Sequence, residues 1–315
     1  EGWSARVDKA LAHAIPVFEV AGHESGLATA WRMRYGIEAA ALRFDAALEA
    51  ADRVARHAEA AGDPRQEGRG AIAVAQAALN GPTPVREGIA RCNDLVVRVD
   101  GDRRTTALVR LCLAQLLAMD EDVEGGRDQY RAARDMLLEL GPGVLTSSTS
   151  TDAAAVELLA GDLDTAVDLL RRDERELEAL GESYLRSTVL GLLGRVLALG
   201  GNLEEAERTA SATRELAAED DVDAQILWRQ ALALTRVRQG RSEEGIALLD
   251  EAVALATVTN DPMRTAQALG DRAVALATIG RPDEAHRDHE RAGELYRSKG
   301  NLAALRQLDA SPLTS

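Results

Sequence analysis

The feature that most constrains this chain is a turn signal that recurs about every forty residues along its whole length. One set of signals comprises Gly22-His23, Gly62-Asp63-Pro64, Gly101-Asp102, Gly141-Pro142, Gly181-Glu182, Asp220-Asp221, Asn260-Asp261-Pro262 and Gly300-Asn301. A second set lies half a period away, at Leu42-Arg43-Phe44, Gly81-Pro82, Glu121-Asp122, Gly161-Asp162-Leu163, Gly201-Asn202-Leu203, Gly240-Arg241-Ser242 and Gly280-Arg281-Pro282. Glycine accepts the left-handed conformation that ends a helix, and a following Asp, Asn or Ser caps the next helix.

The stretches between these signals have apolar residues at helical spacing, for example in 189–199, 206–216 and 246–256. Helices of this kind are about 25 Å long. Because the connections are short, successive helices run antiparallel, and each hairpin has an apolar face that only a neighbouring hairpin can cover. The sequence therefore predicts an all-α solenoid of stacked antiparallel helix pairs with about forty residues per pair.

Two columns of small residues keep the same period. One follows the second set of signals and contains Ala47, Gly88, Gly126, Ala166, Ala206, Gly245 and Ala285. The other lies in the first helix of each pair, at Ala75, Ala114, Ala154, Gly194, Ala233 and Ala273, with Tyr35 as the one large exception. Small side chains at both columns would let the two helices of a hairpin approach closely.

Composition narrows the class of protein further. Aromatic residues supply only 3% of the chain, so its core must consist mainly of Ala, Leu and Val. The net charge of −15 argues against contact with nucleic acid, since nucleic-acid-binding surfaces are basic. No apolar run is long enough to cross a membrane. Cys92 and Cys112 lie inside helical patterns, so we expect buried free thiols and a cytoplasmic location.

The periodicity divides the chain into three expected parts. Residues 1–21 form a truncated leading half-repeat, residues 22–300 an array of seven helical hairpins, and residues 301–315 a capping helix with a tail. The chain begins at Glu1 without a methionine and enters a helical pattern directly. We therefore expect it to be a piece of a longer polypeptide.

Two turns, Gly201-Asn202-Leu203-Glu204-Glu205-Ala206 and Gly280-Arg281-Pro282-Asp283-Glu284-Ala285, resemble the centre of a tetratricopeptide repeat. The period is nearer forty than the thirty-four residues typical of that repeat, and Gly-Asp replaces the proline that usually closes its second helix. The resemblance covers nearly the whole chain. It implies a right-handed superhelix whose first helices line a concave face.

A narrower resemblance is to the C-terminal repeat region of bacterial class III adenylate/guanylate cyclases that also carry an AAA-type signalling ATPase domain. It rests on short matches at 14–19, Ala30-Trp31-Arg32, 81–85, 156–162, Leu227-Trp228-Arg229 and 295–301. In that family the catalytic residues belong to upstream domains. The resemblance therefore implies a regulatory array and places no catalytic residue in this chain.

Motifs for catalysis or cofactor binding are missing from the sequence. A phosphate-binding loop needs glycines followed by Lys and Ser or Thr, and no such string occurs. Asp120 and Asp122 resemble the start of a calcium loop, but Arg131 stands where the loop requires Glu. His286 and His289 share a helix face without a third zinc ligand nearby. We expect no cofactor, no metal site and no enzyme activity in this chain.

The tetratricopeptide resemblance implies binding residues along one stripe of the first helices. On this sequence the stripe contains Arg32, Arg69, Gln76, Gln115, Ser148, Thr151, Thr188, Arg195, Gln230 and Gln267. Polar and basic residues in an acidic chain suit an acidic peptide or protein, a neighbouring domain or a small polar ligand, although such a stripe can also be merely solvated. The run 146–151 of Ser and Thr is either an irregular, extended entry to a helix or a polar patch in the groove.

The sequence is compatible with three functions. The first is an interaction and ligand-sensing module that regulates an attached cyclase or signalling ATPase. The second is the sensor or oligomerisation array of a bacterial transcriptional regulator. The third, an enzyme built as a closed helical toroid, is disfavoured because such sites usually need aromatic platforms and convergent acids in a pocket.

Overall fold

The chain is helical throughout the residues that its computed structural model describes, which are 3–99, 101–141 and 143–310, and no strand occurs in these ranges. In chain order the helices are α1 (Trp3–Ala21), α2 (Glu24–Ala40), α3 (Phe44–Ala61), α4 (Pro64–Asn80), α5 (Val85–Arg98), α6 (Arg103–Met119), α7 (Val123–Glu139), α8 (Val144–Ser147), α9 (Ser150–Ala160), α10 (Leu163–Ala179), α11 (Tyr184–Gly200), α12 (Leu203–Leu216), α13 (Val222–Arg238), α14 (Ser242–Thr257), α15 (Pro262–Thr278), α16 (Pro282–Lys299) and α17 (Leu302–Asp309). Within the described part of the chain, none of them has both the length and the apolar character that a bilayer-crossing helix needs.

Consecutive helices pack as pairs, namely α2/α3, α4/α5, α6/α7, α9/α10, α11/α12, α13/α14 and α15/α16. The first helices of neighbouring pairs also contact each other, as α11 with α13 and α13 with α15. Across the described ranges, successive second helices make at most marginal contact. Because the first helices are crowded and the second helices are spread apart, the array curves with the first helices inside. The fold class predicted from the sequence is confirmed, and we refer to the inside surface as the inner face.

The turns whose signal contains Asp follow the predicted capping chemistry, whereas Asn202 makes no capping hydrogen bond and Arg241, not Ser242, precedes α14 as its N-cap. Gly62 ends α3 in the left-handed conformation, with φ of 61°, and the side chain of Asp63 then accepts hydrogen bonds from two backbone amides of α4. At two turns without glycine another residue takes the left-handed conformation, with φ of 54° at Leu42 and 72° at Glu121, whereas the described glycine-free turns at 220–221 and 260–262 contain no left-handed residue. These short turns hold consecutive helices against each other.

The two columns of small residues meet inside the pairs. A Cβ atom at Gly126 on α7 would lie 2.7 Å from the carbonyl oxygen of Ala114 on α6. A Cβ atom at Gly245 on α14 would lie 2.8 Å from the carbonyl oxygen of Ala233 on α13. Any side chain at either glycine would force the helices apart. The register predicted from the sequence is confirmed at both pairs.

The pair α4/α5 departs from this pattern. Its connection, residues 81–84, lies entirely within the described ranges and contains no left-handed residue. Gly81 is extended instead, with φ of −81° and ψ of −172°, and Pro84 precedes α5 with ψ of 142°. Two prolines in four residues favour such an extended path. As a result α5 packs less closely on α4 than the other second helices do on their partners: a Cβ atom at Gly88 would lie 3.1 Å from the side chain of Leu116 on α6 and 3.7 Å from the carbonyl oxygen of Ala78 on α4.

The segment rich in Ser and Thr is irregular, but the extended entry predicted for it is wrong. It forms the single turn α8, a break at 148–149, and then α9. The hydroxyl of Thr146 donates to the carbonyl of Gly141 at 3.0 Å, and that of Thr149 donates to the carbonyl of Thr146 at 3.0 Å. Hydroxyls that bond nearby main-chain groups compete with helical hydrogen bonds, which explains the break.

The superhelix closes on itself, because turns of the first pairs meet the last pairs. The backbone amide of Asn260 donates to the carbonyl of Leu42 at 3.0 Å. The Nζ atom of Lys299, whose side chain is fully buried, donates to the carbonyls of Ala78 at 2.8 Å and Gly81 at 2.6 Å. Helix α17 packs against α6 and α9, and one hydrophobic core contains residues from both ends of the chain. The repeat pattern did not predict this closure.

Candidate interaction surfaces on the inner face

The C-terminal half of the inner face contains a buried ion pair. Arg195 on α11 donates from Nε and from one terminal nitrogen to the two carboxylate oxygens of Asp271 on α15, at 2.8 and 2.9 Å. Gln230 on α13 lies between these helices, and its Nε2 donates to the same carboxylate at 2.8 Å. Only 9% of Arg195, 6% of Asp271 and none of Gln230 is exposed. These polar groups bind one another inside the array.

The N-terminal half presents two arginines without a carboxylate. Arg32 on α2 and Arg69 on α4 are both half-buried. Burial lowers the pKa of Arg32, and the nearby charge of Arg69 lowers it further. The Nε atom of Arg32 is buried without a hydrogen-bond partner in the described part of the chain, while Arg69 donates to Oε1 of Gln66 at 3.3 Å. No described carboxylate forms an ion pair with either guanidinium, so their charge is uncompensated.

Between these halves lies a pair of carboxylates. Nε2 of Gln115 on α6 donates to Oδ1 of Asp152 on α9 at 2.7 Å, and Oδ2 of Asp173 on α10 accepts from the backbone amide of Thr151 at 2.9 Å. Burial raises the pKa of Asp152 to about 7, and repulsion from Asp173 adds to the rise. Burial also raises the pKa of Asp173 to about 6. Neither carboxylate has an ion-pair partner among the described residues.

The other residues of the predicted stripe are dispersed along the inner face. Gln76 is exposed, and its Oε1 accepts a hydrogen bond from the hydroxyl of Tyr35 at 2.7 Å. Gln267 accepts one from an arginine of its own helix at 2.8 Å, Ser148 donates to a main-chain carbonyl at 3.4 Å, and Thr188 is half-buried. The structure thus brings together Arg32 with Arg69, and Arg195 with Gln230. A binding role for the ten residues stays a prediction.

Sequence reasoning missed two carboxylates that determine what these side chains can do. Asp271 and Asp152 occupy the same position in their pairs, two residues before the small-residue column. Both lie in helices whose neighbouring residues are mainly apolar, and a carboxylate in such a setting needs a partner or a raised pKa. An aspartate among apolar residues was therefore the signal that the sequence offered. The predicted stripe missed both carboxylates, because each of them lies one position away from the stripe.

Stacked antiparallel helix pairs that curve around an inner face define a tetratricopeptide-like solenoid. Residues 223–298 match the family model of the tetratricopeptide repeat, and this part of the chain is a tetratricopeptide repeat region. Its two hairpins, α13/α14 and α15/α16, contribute Gln230 and Asp271 to the buried cluster. No curated protein matches the chain in sequence.

Solved structures resemble the fold over nearly the whole chain. A Rap protein complexed with competence and sporulation factor shares 12% identity at a TM-score of 0.60, covering 91% of this chain and 80% of that one. The APC/C heterotetramer Cut9–Hcn1 shares 14% identity at a TM-score of 0.62, covering 92% of this chain and 53% of that one. A signal transduction ATPase with a tetratricopeptide repeat sensor from Pyrococcus horikoshii shares 11% identity at a TM-score of 0.58, covering 98% of this chain and 53% of that one. At such identities these structures establish the fold alone, and the chain spans about half the length of the last two.

Proposed function

We propose that the N-terminal half of the inner face binds an acidic segment of a protein or peptide, and that this binding regulates a signalling domain attached to the chain. The observation that carries the proposal is the pair Arg32 and Arg69, two adjacent guanidinium groups without a carboxylate in a chain of net charge −15. The proposal gives the chain a binding role and leaves catalysis to other domains.

The chemistry of the two arginines favours a carboxylate ligand. A guanidinium is planar and always charged, and it binds carboxylates through two parallel hydrogen bonds. The Nε atom of Arg32 has no acceptor within the described chain, so the array leaves part of the hydrogen-bonding capacity of this guanidinium unused. A carboxylate placed between Arg32 and Arg69 would also remove the repulsion that lowers the pKa of Arg32. Neutral donors and acceptors nearby, such as Gln66 and Gln76, could bind the main chain of the same segment.

The structural neighbours support a signalling role for an array of this shape. One is a Rap protein complexed with competence and sporulation factor, another is part of the Cut9–Hcn1 assembly, and a third carries its repeats as the sensor of a signal transduction ATPase. We extend that arrangement to this chain, with a nucleotide cyclase or signalling ATPase as the regulated domain. The free, buried thiols of Cys92 and Cys112 are compatible with the cytoplasm, where we place the module.

Binding can be tested with a labelled, end-capped peptide of six glutamates, followed by fluorescence anisotropy, with a six-glutamine peptide as the neutral probe. We expect the glutamate peptide to bind more tightly. The double variant Arg32→Gln/Arg69→Gln should weaken binding about tenfold or more, because a hydrogen bond to a charged group contributes roughly 1.5–3 kcal/mol. The matched control is Arg172→Gln/Arg175→Gln on α10, which removes two exposed arginines. Equal loss in both double variants would mean that the peptide senses only the overall charge.

Regulation can be tested in the parent polypeptide. Cyclase or ATPase turnover should change when residues 1–315 are deleted, and the Arg32→Gln/Arg69→Gln variant should remove the response to the acidic partner while leaving basal turnover intact. Unchanged turnover and regulation after the deletion would contradict the proposal. A parent that carries a DNA-binding domain would instead favour the sensor array of a transcriptional regulator.

A further inference from the structure

A second surface lies on the outer side of the array, where α5 leaves α4. After the extended connection 81–84, α5 packs on α4 less closely than the second helices of the other pairs pack on their partners, and a space is left between α3 and α5. The result is a cleft of about 1000 Å³ with α3 and α5 as its walls and α4 as its floor. No residue of the predicted stripe lines it.

The floor and the lower walls of this cleft are apolar. They are formed by Ala55 on α3, Ala71 and Val74 on α4, and Leu95 and Val99 near the end of α5. Small side chains from α3 and α4 make the floor shallow, while Val74 and Leu95 provide larger apolar contacts. Such a surface can bury the apolar side chains of a partner, at about 25 cal/mol for each Å² removed from water.

The rim of the cleft is acidic. Asp52 and Glu59 lie on α3, Glu67 lies on α4 and Asp94 lies on α5. In the part of the chain that the structure describes, none of these four carboxylates is in an ion pair. Two arginines also line the cleft: Arg91 is bound to Glu87 at 2.6 Å, whereas Arg98, exposed at the end of α5, forms no ion pair within the described residues. The four carboxylates therefore outnumber the one free arginine. The cleft therefore combines an apolar floor with unpaired negative charge on three sides.

We propose that this outer cleft binds a basic amphipathic helix of a partner protein. The lining residues run from Asp52 to Glu59 on α3 and from Arg91 to Val99 on α5, about two helical turns on each wall. A groove between two helices over a third is shaped to receive a further helix, whose apolar face enters and whose flanks meet the walls. Lysines or arginines on those flanks pair with the rim carboxylates.

The charge of the chain disfavours a second copy of itself as the occupant of the cleft. A second copy carries a net charge of −15 and would bring further carboxylates to an acidic rim. An acidic segment, as proposed for Arg32 and Arg69, is repelled for the same reason. The two surfaces therefore select partners of opposite charge, and the tests of the two proposals use different probes and different variants.

The test uses a fluorescein-labelled fourteen-residue peptide of Leu and Lys, with the leucines at helical spacing, and measures fluorescence anisotropy at physiological ionic strength. We expect saturable binding by the whole chain. The double variant Asp52→Lys/Asp94→Lys should weaken it at least about tenfold, because like charges then face the probe from both walls. The matched control, Asp164→Lys/Glu243→Lys, makes the same change in net charge at exposed, unpaired acids on α10 and α14 and should weaken binding less than about threefold.

A second variant tests the cleft without changing its charge. Ala55→Trp fills the space above α4 and should also weaken binding at least about tenfold, with an unchanged melting temperature as the evidence that the array still folds. If this variant unfolds, the two charge variants decide alone. Equal losses in both double variants, full binding by a folded Ala55→Trp protein, or no saturable binding by the unaltered chain would each overturn the proposal.

Discussion

The two halves of the inner face carry the same kinds of side chain and use them differently. In the C-terminal half, Arg195 donates both of its hydrogen bonds to Asp271 and is buried. In the N-terminal half, Arg32 and Arg69 face each other without a carboxylate and remain half-exposed. An arginine on the inner face is therefore available to a ligand only where the array does not itself supply an acid.

The repeat explains where the acid is missing. Arg32 occupies the same position in its pair as Gln230, three residues before the small-residue column. Gln230 binds Asp271, which lies in the next pair two residues before that column. The equivalent residue in the pair that follows Arg32 is Ala73, which is 3% exposed. Because Ala73 stands where the C-terminal half has Asp271, the N-terminal half, which we call open, has no carboxylate at this position to pair with Arg32. The C-terminal half, which we call closed, has one.

The largest effect is expected at the closed half. Asp271→Ala leaves the guanidinium of Arg195 buried and unpaired, which should lower the free energy of unfolding by about 3–5 kcal/mol. Urea denaturation monitored by circular dichroism measures the loss. Arg195→Met/Asp271→Leu removes both charges and should be clearly more stable than the single variant. A single variant within about 1 kcal/mol of the unaltered protein would mean that the pair does not hold this half together.

The next effect concerns the closure that joins the two halves. Lys299→Met keeps most of the apolar volume but removes the donor to the carbonyls of Ala78 and Gly81, both of which then lack this hydrogen bond. We expect a loss of about 2–3 kcal/mol, because an unsatisfied buried group costs about 1–3 kcal/mol. Hydrogen exchange should also rise in α4 and α16 together. Lys9→Met, a change of the same type in an exposed residue, serves as the control and should alter neither quantity.

A smaller effect is expected from a substitution that gives the N-terminal half the carboxylate that the C-terminal half already has. Ala73→Asp places a carboxylate where Asp271 stands in its own pair, and this carboxylate should pair with Arg32 and compete with an acidic ligand. Binding of the six-glutamate peptide should fall about tenfold, or about 1.4 kcal/mol. Ala73→Asn has the same shape without the charge and should change binding less than about threefold. Equal effects of both substitutions would mean that the shape of the new side chain, and not its charge, weakens binding. The proposed difference between the two halves of the inner face would then be wrong.

The sequence predicted the contacts between neighbouring helices but missed the contacts that depend on the curvature of the whole array. Gly62 with Asp63, and Gly126 against Ala114, depend on neighbouring helices, so period and residue size were sufficient to predict them. The contact of Lys299 with Gly81 depends on small rotations summed over all the intervening pairs, which no local pattern encodes.

The candidate site divides in the same way. Their position in the repeat was enough to assign Arg32 and Arg69 to first helices, and their role in binding stays a prediction. The partner of Arg195 could not be identified, because Asp271 lies two pairs further along and one position off the predicted stripe. The looser packing of α5 on α4 had a local signal in the two prolines of 81–84, but its consequence, an acidic cleft on the outer side, required the positions of three helices.

An effect that depends on pH is expected at the boundary between the halves, where Asp152 occupies the position of Asp271 without an arginine opposite. Burial raises its pKa from 3.8 to about 7, so the folded protein binds a proton that the unfolded chain has released between these values. Stability should therefore fall as the pH rises from about 4 to about 7, and Asp173 contributes in the same direction. Asp152→Asn keeps an acceptor for Gln115 and removes the charge, so it should flatten this slope and stabilise the protein at pH 8. Urea denaturation at pH 5 and pH 8 measures both quantities, with the exposed Asp164→Asn as the control. Parallel pH profiles for Asp152→Asn and the unaltered protein would mean that Asp152 is as well compensated as Asp271, and the contrast between the two matched positions would then disappear.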